Sequence, residues 1–269
     1  MKYLTLLLAL GFASCMRLDS SLFDNSTLSE YTLADSVIPA SAREPVVLTS
    51  EDGAKIYGYY VRSNGKHPET TILYCHGNKE HLQYYWDRVE LLYKTGCNVF
   101  VFDYQGYGMS EGTPTEEHIY GDGRTALSFV LAHDSAVKHY CFYGFSLGGA
   151  VAIELAAHTM QPHAIITEDA FASADQLVQS GTILDVPHSY VMDGVYDNVG
   201  KVSQIHAPFL VLHGTADKFI DLEKNGQVLF AHANDPKQFI KIEGADHSEV
   251  PQKLGFNTYV STVEAWFTK

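Results

Sequence analysis

A six-residue turn constrains the fold of this chain more than any other stretch, because residues 144–149 read Gly-Phe-Ser-Leu-Gly-Gly. An apolar and aromatic run at residues 140–143 precedes it, as expected of a buried strand, and residues 150–158 after it are rich in helix formers. In this context a G-x-S-x-G sequence predicts a sharp strand-to-helix turn that presents the serine. The turn is so tight that side chains at Gly144 and Gly148 would clash with the neighbouring strand and helix.

The serine of this turn, Ser146, is predicted to be a nucleophile, with an ordinary tight turn as the alternative. A serine nucleophile needs a base, and the base needs an acid that orients it. In this kind of architecture the acid and then the base follow the serine along the chain. Asp217 follows an apolar strand at residues 209–213, and His247 follows the next strand at residues 239–242. We predict that Asp217 is the acid and His247 the base.

Other residues compete for these two roles. The chain holds 13 histidines, and His247 is chosen because it alone follows the last predicted strand; a solvated loop histidine is the alternative. Glu168 and Asp169, at the end of the predicted strand 164–167, are rivals for the role of the acid. Asp221 and Asp246 are expected to be solvated loop charges or local turn caps.

A tetrahedral intermediate at Ser146 would need backbone N–H donors for its oxyanion. One donor is predicted to be the N–H of Leu147, the residue after the nucleophile. The second is predicted to be the N–H of Asn78, in the loop that follows the apolar strand at residues 71–75. The Asn78 side chain is either a clamp around the site or a helix cap. No metal or organic cofactor is implied, and the cysteines lack the spacing of a zinc site.

From residue 70 onward, strand and helix patterns alternate, which requires a mainly parallel sheet covered by helices on both faces. At 269 residues, one sizeable domain is expected. The predicted strands are 46–50, 56–61, 70–75, 98–103, 140–143, 164–167, 209–213 and 239–242. The predicted helices are 81–94, 116–133, 147–158, 222–233 and 251–267.

The alternation breaks at residues 171–206, which we interpret as a short lid. Within it, residues 173–180 predict a helix, and residues 188–199 predict a second one with Tyr190, Val191, Val195 and Tyr196 on one face. These aromatic residues either line a site or only cover the sheet. Because the insertion is short, we expect a shallow, accessible site.

The N-terminal residues predict a leader segment. A short apolar run at residues 4–12, too short to span a bilayer, is followed by Ala13-Ser14-Cys15 and resembles a bacterial lipoprotein signal. We expect Cys15 to be lipidated and to become the mature N-terminus; a plain cleaved signal peptide and an uncleaved anchor are the alternatives. Met16 after the cysteine favours the outer membrane by the same resemblance. The expected domains are therefore a signal at 1–15, a tether at 16–44 and the main domain at 45–269.

Charge and cysteine content narrow the classes of partner. The formal net charge of −14 argues against a nucleic-acid partner and against electrostatic docking on anionic lipid. If Cys15 is lipidated, three cysteines remain, an odd number that argues against a disulfide framework. Cys75, Cys97 and Cys141 all fall in or beside predicted core strands, so we expect buried thiols.

Together these features resemble the α/β-hydrolase superfamily. Within it, the chain is similar to the serine hydrolases of the ABHD13, ABHD17 and Bem46 group, from about residue 45 to the C-terminus. The matching blocks are residues 76–78, 102–112, 144–149, 213–217 and 244–247. The resemblance implies Ser146 as nucleophile, Asp217 as acid and His247 as base. In the loop at residues 103–112, Gln105 stands where the group usually has arginine. This difference affects the packing of the loop and not the triad.

The predicted function is that of a serine hydrolase that cleaves carboxylic esters or thioesters of a small acyl substrate. A peptidase or amidase with the same triad is the close alternative. A non-catalytic envelope lipoprotein on a hydrolase scaffold is the alternative from another class. Tyr104 and Tyr107 either line the acyl pocket or pack the scaffold.

Overall fold

A single large sheet organises the molecule. The structure is a computed structural model that describes residues 22–33, 36–181, 189 and 192–269. Its strands are β1 (Asp24–Asn25), β2 (Arg43–Thr49), β3 (Lys55–Val61), β4 (His67–Cys75), β5 (Lys79–Glu80), β6 (Cys97–Phe102), β7 (His139–Phe145), β8 (Ala164–Glu168), β9 (Phe209–Gly214) and β10 (Lys237–Ile242). Eight of these strands form one sheet in the order β10-β9-β8-β7-β4-β6-β3-β2.

The sheet is mostly parallel, as predicted. β4 pairs in parallel with β6 and β7, and the parallel pairing continues through β8, β9 and β10. β2 and β3 form an antiparallel hairpin at one edge, and β3 pairs antiparallel with β6. The carboxyl ends of β4 and β7 to β10 therefore meet at one edge, where sites in such sheets form.

Helices cover both faces of the sheet. They are α1 (Trp86–Tyr93), α2 (Glu116–His133), α3 (Leu147–His158), α4 (Ala174–Gly181), α5 (Asn198–Val202), α6 (Gly226–His232), α7 (Val250–Leu254) and α8 (Phe256–Phe267). Neighbouring residues along a strand point into opposite layers: Leu73 and Phe142 join one apolar cluster, whereas Ile72 and Tyr143 join the other. Burial on both faces explains why these strands are apolar throughout instead of alternating.

Four predicted helices differ from the observed ones. The predicted helices 81–94 and 222–233 begin later, at Trp86 and Gly226, because residues 82–85 and 222–225 form turns. The last is divided at Gly255, whose φ of +87° ends α7 before α8 begins. In the lid, residues 192–197 are not helical, since the Asp197 side chain accepts a hydrogen bond from the Gly200 N–H and caps α5 instead.

Glu116 gives a second reason for the irregular lid backbone. Its carboxylate accepts the backbone N–H groups of Val195 (2.7 Å) and Tyr196 (2.8 Å), which ties this segment to the start of α2. Tyr190 and Val191, the other two residues of the predicted apolar face, lie outside the described residues.

Residues 22–33, which precede β2, lie against the domain. β1 pairs in parallel with β5, and the Leu28 N–H donates to the Gly108 carbonyl at 2.7 Å. The Tyr31 hydroxyl donates to buried Asp103 at 2.5 Å. The predicted signal and Cys15 lie outside the described residues. Within the part of the chain that the structure describes, no helix is both long and apolar enough to cross a membrane.

Candidate active site

Ser146 occupies the sharp turn between β7 and α3. Its backbone adopts φ +52° and ψ −117°, a left-handed conformation that costs a non-glycine residue roughly 1–3 kcal/mol and that recurs at functional sites. A Cβ at Gly148 would overlap the Cys75 carbonyl oxygen, and one at Gly144 would overlap the Gly148 carbonyl oxygen. The predicted steric need for both glycines is thus confirmed.

The structure brings Ser146, His247 and Asp217 into one line of hydrogen bonds. His247 Nε2 lies 3.2 Å from Ser146 Oγ, and His247 Nδ1 lies 2.8 Å from Asp217 Oδ2. With an Nδ1 proton donated to the carboxylate, Nε2 is left as an acceptor for the serine hydroxyl. This is the arrangement that removes a proton from a hydroxyl and orients the imidazole.

Asp217 is fixed by its own loop. The residue follows β9, and its Oδ1 accepts the backbone N–H groups of Phe219 and Ile220, both at 2.8 Å. These bonds leave Oδ2 directed at His247. The Asp217 side chain is buried, so its pairing with the imidazole is little screened by water.

The rival acids have other partners. Asp169 accepts the backbone N–H groups of Gly214 (2.9 Å) and Ser248 (3.3 Å). Burial raises the pKa of Asp169 to about 7, and the nearby charges of Glu168 and Asp217 contribute to this rise. Its carboxylate lies close to the triad without bonding the His247 ring in the described contacts.

Glu168 belongs to a buried cluster beside the site. One carboxylate oxygen accepts a hydrogen bond from Arg88, and the other accepts from Tyr143 and, at 2.9 Å, from Tyr259. The Arg88 guanidinium also lies over the Phe145 ring, 4.3 Å from its centroid. We call Arg88, Glu168, Tyr143 and Tyr259 the buried cluster.

Asp221 is a local turn cap, as expected, whereas Asp246 also joins two loops. Asp221 accepts the Lys224 N–H at 2.9 Å. Asp246 accepts the N–H groups of Lys218 (3.0 Å) and His247 (2.9 Å), which holds the loop that carries the imidazole.

The two predicted oxyanion donors lie on adjacent segments. Leu147 begins α3, so its N–H is one of those that a helix leaves without an intrahelical partner. The tight contact between Gly148 and the backbone of Cys75 and His76 places the end of β4 against the start of α3. Asn78 follows in that loop. Its side chain is not a helix cap: Nδ2 donates to the Leu22 carbonyl at 2.9 Å.

Comparison with known proteins places this site in a family. The family model for serine aminopeptidases, S33, matches residues 66–168. Uncharacterized protein YfhR of Salmonella typhi is 32% identical over 228 residues, 78% of this chain and 75% of that protein. Human alpha/beta hydrolase domain-containing protein 17B is 31% identical over 211 residues, 78% of this chain and 70% of that protein. The chain belongs to the α/β-hydrolase superfamily.

A solved structure shares the fold of this α/β hydrolase. The esterase Pf2001 of Pyrococcus furiosus has a TM-score of 0.74 and 20% identity, covering 92% of this chain and 97% of that one. At this identity the likeness shows the fold alone. These comparisons confirm the predicted superfamily and the predicted fold class. They also confirm the likeness to the protein 17B relatives.

The tyrosines and glutamine of the loop after β6 are part of the scaffold of the hydrolase. Tyr104 donates to the His76 carbonyl and Tyr107 to the Asn78 carbonyl, both at 2.9 Å, and both rings are buried. They therefore hold the loop that carries Asn78. The Gln105 side chain donates to Asp52 at 3.1 Å, so the residue that replaces the usual arginine ties its loop to the turn between β2 and β3.

One cavity adjoins the site, and a second cavity shares the Phe23 side chain with it as part of the lining. The first, of about 490 Å³, is lined by His247, Asn78 and Phe219 among others. The second, of about 570 Å³, lies at the start of α2 against Tyr196 of the lid. Ser146 itself is 3% exposed. The shallow, accessible site stays a prediction.

Sequence reasoning missed the residues that surround the imidazole and the first cavity. The Phe145 and Phe219 rings each lie 5.3 Å from the His247 ring. Phe23 lines both cavities. It belongs to the segment 16–44 before the main domain, which we call the N-terminal extension. The apolar pair Leu22-Phe23 inside a polar stretch was the one signal for it.

Three side chains at the site carry donor atoms of the kind that bind metal ions. Within the described ranges, Asp169, Asp217 and His247 bring one ligand atom each to within 4.8 Å of one another. Asp217 and His247 are already joined by a hydrogen bond of their own.

The three thiols are buried and form no disulfide among themselves, as predicted. Burial raises the pKa of each thiol, that of Cys97 to about 11, which makes all three poor nucleophiles near neutral pH.

Proposed function

We propose that this α/β hydrolase is a serine hydrolase that cleaves carboxylic esters or thioesters through an acyl-enzyme intermediate. The observation that carries the proposal is the continuous alignment of Ser146 Oγ, the two ring nitrogens of His247 and Asp217 Oδ2. The left-handed backbone of Ser146 at the start of α3 supports it, because strain of this kind is retained where it positions a reacting group.

In the first half-reaction, Ser146 Oγ forms a bond to the carbonyl carbon while its proton moves to His247 Nε2. The N–H groups of Asn78 and Leu147 are proposed to stabilise the oxyanion. The bond to the leaving oxygen or sulfur then breaks, and His247 returns the proton to the departing alcohol or thiol. Asp217 keeps the Nδ1 proton in place and stabilises the imidazolium.

In the second half-reaction, water attacks the acyl carbon and gives its proton to His247. The bond to Ser146 Oγ breaks, the serine recovers the proton from His247, and the carboxylic acid leaves. The cycle needs no redox or metal cofactor, since every proton and electron pair is accounted for by these side chains, substrate and water.

Cleavage of amides or peptides is the second candidate, favoured by the match to the S33 serine aminopeptidase model. The same triad serves both reactions, and the difference lies in the leaving group. The esterase activity named for the Pyrococcus furiosus neighbour supports the ester alternative as a proposal for this chain.

A fluorophosphonate probe tests the proposal. Wild-type protein is expected to be labelled at Ser146, and Ser146→Ala is expected to be unlabelled. A matched panel of a p-nitrophenyl ester, a thioester and a p-nitroanilide with the same acyl group then ranks the substrates by kcat/KM. Labelling that persists in folded Ser146→Ala, or a preference for the anilide, would contradict the nucleophile or the ester assignment respectively.

A lipid anchor at Cys15 in the bacterial envelope, at the outer membrane, is proposed from the sequence. Several acyl chains, each CH₂ contributing roughly 0.8 kcal/mol, would anchor the domain stably. From Cys15 to Leu22 the chain has seven residues, which span at most about 25 Å. Since Leu22 is bonded to Asn78, the active site would work close to the bilayer surface.

Intact mass of the detergent-extracted protein tests the anchor. The expected mature chain begins at Cys15 and carries added acyl mass, and Cys15→Ser is expected to abolish both. A chain that begins elsewhere, or at Cys15 without acyl mass, overturns the proposal.

A further inference from the structure

Residues 22–25 lie against the candidate active site although they are far from Ser146 in sequence. Phe23 is 8% exposed, and its side chain lines the cavity beside His247 as well as the cavity at the start of α2. The two cavities therefore meet at this ring. The extension thus contributes a wall of the site instead of serving only as a tether.

Main-chain and side-chain bonds hold this wall in place. Asp24 and Asn25 pair in parallel with Lys79 and Glu80, the residues directly after Asn78. The Asn25 amide donates to the Gly106 carbonyl at 2.6 Å. On the other side of Phe23, the Leu22 carbonyl accepts the Asn78 amide at 2.9 Å. Phe23 is thus fixed from both directions along the chain.

We propose that Phe23 is a specificity-determining residue that separates the leaving group of the substrate from its acyl group. The inference rests on the proposed function. His247 Nε2 must reach the leaving atom to protonate it, so the leaving group belongs in the cavity that His247 lines. The acyl group then lies on the other side of Phe23, in the cavity of about 570 Å³ lined by Tyr120 and Tyr196.

The lining of the leaving-group cavity indicates the class of leaving group. Asp24, Asn25, Asn78 and Lys79 supply charges and hydrogen-bonding groups of both kinds, and Phe219 supplies one apolar side. A site built with such groups discriminates against a leaving group that cannot pair with them. The leaving group is an alcohol or thiol that carries further polar groups, such as a glyceryl unit.

Substitution of Phe23 in the full chain tests the separation. One substrate series keeps the acyl group and compares methyl, propyl, glyceryl and bulkier polar esters; the other keeps the leaving group and varies acyl length. Phe23→Ala is expected to raise kcat/KM for bulky relative to methyl esters by about tenfold or more, since one methylene alone changes selectivity by roughly 10–200-fold. For Phe23→Leu, this ratio of kcat/KM values should lie between those of wild type and Phe23→Ala. For Phe23→Trp, the ratio should fall below that of wild type.

Val37→Ala is the matched control, because Val37 belongs to the same extension, is exposed and lines neither cavity. Its selectivity is expected to equal that of wild type. A purely structural role of Phe23 would lower kcat/KM for all esters by one common factor, and this outcome overturns the inference, as does a preference for propyl over glyceryl esters. Activity that survives Ser146→Ala would instead refute the proposed function, so the two failures are distinguishable.

Discussion

Two polar networks lie at the carboxyl edge of the sheet. They differ in whether one of their atoms is left free to react with a substrate. In the line Ser146–His247–Asp217, each residue bonds the next and the serine oxygen at the end is left to react. In the buried cluster, both Glu168 oxygens are taken by Arg88, Tyr143 and Tyr259. Glu168 is fully buried and both of its oxygens already have partners, so its role is to support the structure.

The comparison also separates the predicted acid, Asp217, from Asp169, its rival in the sequence. Asp217 bonds two backbone N–H groups with one oxygen and directs the other at His247. Asp169 uses both oxygens on backbone N–H groups. Burial alone does not distinguish them, since both are buried. The two residues differ in their hydrogen-bond partners, because only Asp217 bonds the His247 ring.

The largest effect should follow from loss of the nucleophile. Ser146→Ala is expected to lower kcat by about 10⁴- to 10⁶-fold while the unfolding midpoint in urea changes little. His247→Ala should reach a similar level, and the double variant little lower, because the residues act as a unit. A strongly additive double variant would show that the two side chains do not work as one network.

Asp217→Asn should come next. The amide cannot accept the Nδ1 proton in the same way and favours the wrong tautomer of His247, which costs about 10⁴-fold in kcat in serine hydrolases of this logic. Steady-state kinetics with one activated ester measures it. Asp221→Asn is the control, since that carboxylate only caps a turn. Near-wild-type kcat in folded Asp217→Asn would remove this residue from the network.

A substitution in the buried cluster should lower the free energy of unfolding and leave kcat nearly unchanged. Burial opposes the charge on Arg88, but the Glu168 carboxylate and the neighbouring tyrosines together outweigh it, so the pKa of Arg88 lies above its ordinary value. Glu168→Gln leaves that charge buried without its partner, which costs about 3–5 kcal/mol of unfolding free energy. Urea denaturation measures the loss, and kcat per folded molecule should stay within a few-fold of wild type.

Glu44→Gln provides the matched control for Glu168. Its exposed partner Arg62 lies at 2.7 Å, and such surface pairs contribute about 0–1 kcal/mol. Equal destabilisation by the two substitutions, or a loss of kcat in Glu168→Gln as large as in Asp217→Asn, would contradict the division between the networks.

The sequence predicted one network and missed the other for a physical reason. Turn composition and strand ends are local signals, and they were enough to select Ser146, Asp217 and His247, which the fold brings within hydrogen-bonding distance; their catalytic roles stay predictions. Arg88 and Glu168 are 80 positions apart and lie on a helix and a strand whose patterns report only burial.

The N-terminal extension was underestimated for a related reason. β1 is two residues long, too short to show any periodicity, and its position depends on pairing with β5. The division of the C-terminal helix at Gly255 was likewise hidden, because a single glycine inside a helical pattern is often tolerated. The parallel core strands, by contrast, are long apolar runs whose type the pattern determines.

Asp169 lies between the two networks and should show the smallest effect, as a function of pH. Its pKa is raised to about 7, whereas that of an unfolded aspartate is about 4. Below pH about 4 both states hold the proton; between pH about 4 and 7 only the folded state does, so stability falls as pH rises through that window. Each pKa unit corresponds to about 1.4 kcal/mol.

Asp169→Asn should therefore remove this fall. Urea denaturation at pH 5 and pH 8 is expected to show wild type losing about 2–3 kcal/mol relative to the variant, counted over the two units between pH 5 and 7. Asp246→Asn, an exposed carboxylate whose pKa is lowered by backbone hydrogen bonds, should leave that difference intact. The kcat of Asp169→Asn should fall by less than about tenfold, since the hydrogen bonds of Asp169 go to the backbone of Gly214 and Ser248. An inactive Asp169→Asn beside an active Asp217→Asn would reverse the assignment, because the acid would then lie after β8 and not after β9.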